Sequence, residues 1–248
     1  METPRVIHED IETPRVIHDD KEFIIVDKPS GWIVNDAQTA KGQPVLQTWL
    51  DNNLKYELCG QTIYRSGIVH RLDKETSGLI IIAKTVAAFD NLQAQFKNRV
   101  VEKTYKALTH GKVNPAKGVI NAPVGRLPWR RDRFGVLAGG REAFTSYETV
   151  SNYKDNKNNL YSLINTFPKT GRTHQIRIHL KHLGHPLVAD EFYAGRKTAR
   201  NDRVWCPRLF LHACAISFKH PVTHENLNFA SDLPADLQKV IEKLTKLD

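Results

Sequence analysis

The sequence predicts an α+β fold in a single domain. Short segments rich in β-branched and aromatic residues follow one another along the 248 residues, separated by turns, and only a few segments show helical spacing of apolar residues. Strands that come in runs, with few long helices between them, favour α+β over a doubly wound parallel sheet. No convincing linker divides the chain. The length therefore predicts one sizeable hydrophobic core.

The N-terminal segment contains a near-duplicate. Glu2–Asp10 reads ETPRVIHED and Glu12–Asp20 reads ETPRVIHDD. Such short copies do not make a solenoid, which needs several longer repeats. The second copy runs on into Lys21–Asp27, so we expect it to form one continuous strand. We expect residues 1–11 to be a poorly ordered extension and residues 12–248 to form the domain.

The first half of the domain predicts strands separated by helices. Phe23–Val26 is β-branched and aromatic and stops at a Pro-Ser-Gly turn, whereas Gly78–Lys84 is aliphatic enough to be buried on both faces. Glu102–Thr109 alternates between its two faces, which is typical of a strand. A short helix is predicted over Pro44–Asn53. An amphipathic helix is predicted over Val86–Arg99, because its apolar residues have helical spacing: Phe89, Leu92 and Phe96.

The second half predicts more strands and two helices. Residues 113–140 are rich in Gly, Pro and Arg, which indicates loops around short strands. Ala143–Val150 and Leu160–Phe167 are predicted strands, joined by a polar turn at Asn152–Asn159. The remaining elements are a helix capped by Thr173, with the apolar stripe Ile176, Leu180 and Leu183 and closed by Gly184, a strand over Leu209–Lys219, and a last helix opened by Pro234.

Charge and composition limit the function classes. Lys and Arg number 36 against 27 Asp and Glu, a formal net charge of +9. This excess suits a polyanionic partner, although a merely soluble basic protein remains an alternative. Three scattered cysteines without a CxxC pair argue against a disulfide framework. The longest aliphatic run, Leu79–Ile82, is far below the roughly 20 residues of a bilayer span. The N-terminus lacks a signal peptide, and we expect a cytoplasmic protein without a membrane partner.

One segment places a carboxylate among cations directly before a strand. Ile68–Thr85 reads IVHRLDKETSGLIIIAKT, so His70, Arg71 and Asp73 lie in a turn that a buried strand follows. Loops positioned by a rigid scaffold often carry chemistry. A surface salt-bridge cluster is the alternative, and composition alone favours it.

A second segment combines arginines with histidines. Thr170–Asp190 reads TGRTHQIRIHLKHLGHPLVAD. If a helix begins here, its first turn offers backbone donors beside Arg172, and Arg177 comes from the next turn, so one of the two arginines can contact a phosphate while the other pairs with a buried carboxylate. His174 and His179 are five positions apart, which is poor spacing for two metal ligands on one helical face, and no HExxH pattern is present. We therefore expect no metal.

A third segment interleaves guanidinium groups with aromatic rings. Gly125–Gly140 reads GRLPWRRDRFGVLAGG. Cations for phosphates and rings for stacking are typical of single-stranded RNA recognition, and a solvated basic loop is the alternative. The candidate RNA-binding residues here are Arg126, Arg130 and Arg131.

In order along the chain, these segments closely resemble the RluA-type RNA pseudouridine synthases. The resemblance runs from about Pro14 to Leu233. A single HRLD motif would be weak evidence for the family, whereas a whole series of motifs in the family's order is strong evidence. The matching segments are IIVDKPSGWIV (Ile24–Val34), HRLDKETSGLIIIAK (His70–Lys84), VEKTYKAL (Val101–Leu108), GGREAFTSYE (Gly139–Glu148), GRTHQIRIHLKHLGHPLVAD (Gly171–Asp190) and RLFLHACAISFKHP (Arg208–Pro221).

The resemblance implies a role for each matched residue. Asp73 would be the essential catalytic aspartate, Tyr105 would stack on the target base, and Arg177 would pair with Asp73. Arg71 would help to extrude the nucleotide and fill its vacancy. The pocket would be shaped by Gly171, Arg172, Thr173 and Gln175 and lined by Leu72 and Ile176, and His70 and His174 are placed with the RNA-binding residues. The implied fold is a mixed, largely antiparallel central sheet with flanking helices and an RNA-binding cleft.

The resemblance also implies what the enzyme acts on and needs. The substrate would be a flipped uridine in ribosomal or transfer RNA, without metal or organic cofactor, and we expect a monomer. Motifs do not decide whether Asp73 attacks the sugar or the base, or removes a sugar proton. Two departures stand out: the N-terminal S4 module of many relatives is expected to be absent, and Ala189 stands where the family is expected to have glycine.

Two other functions are alternatives to this one. A catalytically silent RNA-binding protein of the same fold would also have a basic cleft, but only the enzyme needs Asp73, Tyr105 and Arg177 together. An unrelated RNA hydrolase would need paired carboxylates or metal-ligand spacing, which the sequence does not show.

Overall fold

The computed structural model describes residues 12–36, 40 and 42–247, so the expected extension at residues 1–11 lies outside the described residues. The strands are β1 (Arg15–Asp19), β2 (Phe23–Lys28), β3 (Ser77–Ala83), β4 (Glu102–His110), β5 (Lys117–Asn121), β6 (Val124–Leu127), β7 (Arg130–Val136), β8 (Phe144–Lys154), β9 (Leu160–Pro168), β10 (Leu211–Lys219), β11 (Asn226–Ala230) and β12 (Thr245–Leu247). The helices are α1 (Leu46–Asn53), α2 (Val86–Lys97), α3 (Gln175–His182), α4 (Arg196–Asp202) and α5 (Ala235–Glu242), with a 3₁₀ segment at Thr62–Gly67.

One large mixed sheet organises these elements. Its strands follow the order β1-β2-β3-β10-β4-β9-β8-β12, with β11 also paired to β10 and β5 to β8. Neighbouring strands are antiparallel except β3 and β10, which run parallel. Strands β6 and β7 form a separate antiparallel hairpin. The architecture confirms the expected α+β fold with a mixed, largely antiparallel sheet.

Helices cover both faces of the sheet, because β2 and β3 are apolar on both sides. Successive side chains of a strand point to opposite faces, so even-numbered residues of β2 and β3 pack with α1 and α3, and odd-numbered residues pack with α2. A third cluster joins β4 and β9 to α5. Full burial of one such large aliphatic side chain stabilises the fold by about 1.5–3 kcal/mol. No described helix has the length and apolar composition of a bilayer span.

The parallel junction brings residues that are distant in the sequence into one row. Ala213 of β10 lies opposite Gly78 of β3 on one side and opposite Tyr105 of β4 on the other. Gly78 has φ +116°, and a Cβ there would lie 2.3 Å from the Ala213 carbonyl oxygen. The missing side chain therefore lets the two strands pair beside the loop that precedes β3.

Two predictions about local structure were wrong. The second copy of the duplicated segment does not continue straight into β2; it forms β1, which turns at Asp20 and pairs antiparallel with β2. Thr173 does not cap α3, because His174, at φ +55°, is the N-cap and its side chain makes no capping hydrogen bond. The predicted helix end is confirmed: Gly184 has φ +90° and its N–H donates to the carbonyl of Lys181 at 3.0 Å.

Other differences concern element lengths and elements without a strong local signal. β8 extends to Lys154, so the turn before β9 is shorter than predicted, and the Asp155 carboxylate accepts the N–H groups of Lys157 and Asn159 there. α4, β11 and β12 were not predicted. β12 and the end of α4 are stabilised by contacts with distant segments, which periodicity does not reveal, whereas β11 forms a hairpin with the preceding strand β10.

We expect Gly78→Ala to destabilise the fold by about 1–3 kcal/mol more than Gly184→Ala. Both positions have a positive φ, so both substitutions carry a conformational cost of about 1–2 kcal/mol, but no atom lies within 4 Å of a Cβ built at Gly184. Urea unfolding followed by circular dichroism measures the difference. Equal losses for the two variants would contradict the close approach of β3 and β10.

Candidate active site

A cavity of about 570 Å³ opens at the end of the sheet where β3 and β10 begin. It receives side chains from β4, α3 and the loop before β3. The predicted site residues that line it are His70, Arg71, Leu72, Asp73, Tyr105, Gly171, Arg172, Thr173, His174, Gln175, Ile176 and Arg177. The tertiary structure therefore brings together every predicted residue outside the Arg-rich segment.

The Asp73 loop is held by the turn that follows β2. The Lys74 carbonyl accepts the Gly31 N–H at 2.8 Å, and the Ser30 hydroxyl donates to the Glu75 carbonyl at 2.8 Å. The Asp73 carbonyl itself accepts the N–H of Thr76 at 3.1 Å. These backbone contacts fix the loop, while the Asp73 side chain stays 21% exposed towards the cavity.

Lys28 is a buried cross-link between this turn and the loop. Its ammonium donates to the carbonyls of Pro29, Trp32 and Lys74 at 2.9, 3.0 and 3.2 Å. Burial, followed by the charge of Arg208, lowers the pKa of Lys28 to about 7, against the opposing charge of Asp73. The three carbonyl acceptors use all of its donors. Lys28 thus connects β2 to the residue directly after Asp73.

Arg177 is buried and has two carboxylate neighbours. Its Nε and Nη2 donate to the two oxygens of Asp190 at 2.8 and 2.7 Å, and Nη1 lies 3.8 Å from Asp73 Oδ2. The pairing expected from the resemblance is therefore present only as a longer contact, and Asp190 makes the bidentate one. A planar guanidinium fits a carboxylate in this two-bond geometry.

Aromatic rings complete the surroundings of Arg177. Its guanidinium carbon lies 5.2 Å from the ring centres of both Phe192 and Tyr193. Burial by itself lowers the pKa of Arg177, but its hydrogen bonds to Asp190 and the charges of Asp190 and Asp73 raise it overall. Arg177 is a permanent cation here. The carboxylate of Asp73 therefore faces a fixed positive charge.

Tyr105 is almost buried, with 9% of its surface exposed, and lines the same cavity. Burial, followed by the charge of Asp73, raises its pKa. Its phenol is therefore protonated at neutral pH. A flat, neutral ring beside a carboxylate is able to support a planar ligand.

His70 supports the loop. Its Nε2 accepts the N–H of Ile81 at 2.9 Å, and its ring stacks on Phe96 with the centres 4.6 Å apart. Burial, followed by the charge of Lys103, lowers its pKa to about 3. The ring is neutral and its acceptor nitrogen is occupied. We therefore assign His70 to the support of the loop, although it was expected among the RNA-binding residues.

His174 connects α3 to the segment after Asp190. Its Nδ1 forms a 2.9 Å hydrogen bond with the Tyr193 hydroxyl. Burial lowers the pKa of His174 more than the charge of Asp73 raises it. The next residue, Gln175, is also fully engaged: its Oε1 accepts the Thr170 hydroxyl and the Arg172 N–H, at 2.7 and 3.1 Å. The start of α3 is thus rigid beside Asp73.

The cavity is strongly basic. Among the described residues that line it, Asp73 is the sole carboxylate. The lining also includes Arg65, Arg71, Lys97, Arg99, Lys103, Lys169, Arg172 and Arg177. Burial lowers the pKa of Lys103 to about 8. Such an arrangement attracts a polyanion and leaves one acid in its centre.

The Arg-rich segment forms the β6–β7 hairpin next to this cavity. Arg126 lies over the Phe134 ring at 5.0 Å and lines a second cavity of about 470 Å³, which shares Gly171, Arg172 and Thr173 with the first. Arg130 lies 3.7 Å from Asp132 and lines neither cavity. Arg131 lies in β7. Trp129, at the tip, is 74% exposed.

Sequence reasoning missed Asp190, Tyr193 and Lys28 as parts of this site. Asp190 closes the matched segment Gly171–Asp190, so its place in the series was the available signal. The described residues contain no group of three or more His, Cys, Asp or Glu arranged to hold a metal ion.

Comparison with known proteins identifies the family. A family model described as RNA pseudouridylate synthase matches residues 22–182. An uncharacterized RNA pseudouridine synthase of Chloroflexus aurantiacus is 38% identical over 218 residues, 88% of this chain; the chain covers 65% of that relative's length, just under two thirds. A ribosomal large subunit pseudouridine synthase D of Blochmanniella floridana is 35% identical, with 91% of this chain and 71% of the relative covered.

Solved structures show the same fold. The human RNA pseudouridylate synthase domain containing 1 has a TM-score of 0.73 at 24% identity, with 100% of this chain and 92% of that chain covered. The human RNA pseudouridylate synthase domain containing 4 protein has a TM-score of 0.68 at 23% identity, with 92% of this chain and 93% of that chain covered. The family model and the relatives show that the chain belongs to the RNA pseudouridine synthase family and confirm the RluA-type resemblance of its motifs.

Proposed function

We propose that this protein converts specific uridines of RNA to pseudouridine, with Asp73 as the catalytic carboxylate. The observation that carries the proposal is the placement of Asp73: one carboxylate in a basic cavity, facing the buried cation Arg177 and beside the ring of Tyr105. Family membership supports the same reaction class.

The reaction breaks the N1–C1′ bond of uridine, rotates the base and forms the C5–C1′ bond; the C5 proton is then lost to solvent, and N1 takes up a proton. A stacked base hides this bond, so the nucleotide must first leave the stack, which costs a few kcal/mol. The cations around the cavity would hold the flanking phosphates and offset this cost. Arg71, which is exposed at the cavity, is placed to occupy the vacated position.

Asp73 and Tyr105 would have different roles towards the flipped nucleotide: Asp73 would react with it, and Tyr105 would stack on its base. An ionised carboxylate acts either as a nucleophile or as a base, and the partial exposure of Asp73 towards the cavity suits both uses. The protonated phenol of Tyr105 provides a neutral face on which the base can stack and rotate. Ribosomal or transfer RNA is the proposed substrate; the relatives named as ribosomal large subunit synthases support ribosomal RNA.

The central test is tritium release from RNA labelled at uracil C5, with ribosomal and transfer RNA transcripts and no added metal. We expect Asp73→Asn to lower the rate by at least about 1000-fold, because removal of a chemically reacting group has effects of this size. Asp90→Asn, on the exposed surface of α2, is the matched control. Turnover by Asp73→Asn at the wild-type rate would reject the assignment.

We expect Arg126→Gln with Arg130→Gln to weaken RNA binding and to flatten its dependence on salt. Each lost phosphate contact should reduce the slope of log K against log salt by about 0.7–0.9. Fluorescence anisotropy across a salt series measures this slope, with Arg196→Gln on α4 as the control. An unchanged slope would remove the hairpin from the RNA-binding surface.

RNA binding should depend on pH through Lys103. Its pKa of about 8 means that the side chain loses its charge as pH rises through 8, and a phosphate favours the charged form. We expect affinity to fall above pH 8 by at most about tenfold per pH unit. Lys103→Arg should abolish this fall, whereas Lys97→Arg should not. The same fall in Lys103→Arg would place its origin elsewhere.

A further inference from the structure

Arg177, which lies between Asp73 and Asp190, forms an inner guanidinium bridge, and Arg203 forms a second bridge next to it. Arg203, the residue directly after α4, places Nη2 2.7 Å from Glu75 Oε1 and 3.2 Å from Glu191 Oε1. Its Nη1 donates to the Pro207 carbonyl at 2.7 Å. Arg203 lies outside the cavity lining.

The two bridges connect the same two segments of the chain. Arg177 lies between Asp73 and Asp190, and Arg203 lies between Glu75 and Glu191. Each bridge therefore ties the Asp73 loop to the segment at residues 190–191. Arg177 and Asp190 are buried and Asp73 is 21% exposed, whereas about a quarter of the Arg203 and Glu75 side chains and 62% of the Glu191 side chain are exposed.

The backbone next to Arg203 is held in place by the side chain of its neighbour. The preceding Asp202 is buried, and its Oδ2 accepts the N–H of Ala189 at 2.9 Å and lies 2.9 Å from His110 Nε2. The end of α4 is therefore fixed against the segment that carries Asp190. A fixed cation at this point holds Glu75 in place.

The negative charge of Glu75 also acts on the Arg177 guanidinium. Burial lowers the pKa of Arg177, and Glu75 is among the charges that raise it. The contact from Arg177 to Asp73 is long, at 3.8 Å. If Glu75 were released from Arg203, its carboxylate would therefore compete with Asp73 for Nη1 of Arg177, the nitrogen that faces Asp73.

We propose that Arg203 is a positioning residue: it holds Glu75 and the Asp73 loop in place, and so leaves Arg177 to Asp73. This inference rests on the proposed function for its catalytic consequence. The anchoring of the loop is a separate consequence that does not depend on the RNA substrate.

The kinetic test uses single-turnover tritium release from C5-labelled ribosomal or transfer RNA at saturating enzyme. We expect Arg203→Gln to lower the rate constant about 10- to 100-fold, since a small displacement of a reacting group has effects of this size, while RNA affinity stays at the wild-type value. Arg200→Gln, on the exposed surface of α4, should keep the wild-type rate. A wild-type rate in Arg203→Gln would overturn the proposal.

Two further variants separate competition by Glu75 from general damage to the fold. Arg203→Lys keeps a cation near Glu75 and should retain most of the rate. Glu75→Gln combined with Arg203→Gln removes the competing charge but leaves the loop without its anchor, and should therefore recover part of the rate lost by Arg203→Gln alone. A double variant as slow as Arg203→Gln would show a merely structural role and overturn the proposal.

Hydrogen–deuterium exchange tests the anchoring without RNA. Arg203→Gln should raise amide exchange over residues 70–76 and leave the β8–β9 pair unchanged; unchanged exchange over residues 70–76 would overturn the anchoring. If the wild type releases no tritium from either RNA, the proposed function fails, while the exchange result still decides whether Arg203 anchors the loop.

Discussion

The structure of this site depends on the buried guanidinium of Arg177. Burying a charge is costly unless it is paired and hydrogen-bonded, and Asp190, which is itself fully buried, makes that pair with two short hydrogen bonds. Removing one partner of such a pair costs about 3–5 kcal/mol, because the other charge stays buried. This pair therefore fixes α3 against the segment after Gly184, and with it the charge that Asp73 faces.

The division of Arg177 between two carboxylates leaves the Asp73 side chain accessible from the cavity. Asp190 receives the bidentate contact, so Asp73 lies 3.8 Å from the Arg177 guanidinium without being enclosed by it. The loop around it is held through backbone carbonyls by Lys28 and through the ring of His70. A rigid backbone with a partly exposed side chain is the arrangement that positions a reacting group without blocking it.

Much of the fold was predictable because its signals are local. β2, β3, β4 and α2 follow from alternation, β-branched composition or helical spacing, all of which act within a few residues. The chemistry-bearing segments were predictable as well, since their order along the chain resembles one family, and the family model and the relatives confirm it. Their gathering in one cavity matches what the order implied.

The sequence by itself determined most of the strands and helices, the basic character of the protein and the family that its motifs resemble. Only the tertiary structure decided that Asp190 is the close partner of Arg177, that His174 rather than Thr173 is the N-cap of α3, and that Arg203 bridges Glu75 and Glu191. Ion pairs have no periodicity, and their partners are chosen by distance after the chain has folded. Here the return of the chain after Gly184 brings Asp190 to Arg177, and the contacts of Asp202 with Ala189 and His110 hold Arg203 beside Glu75 and Glu191.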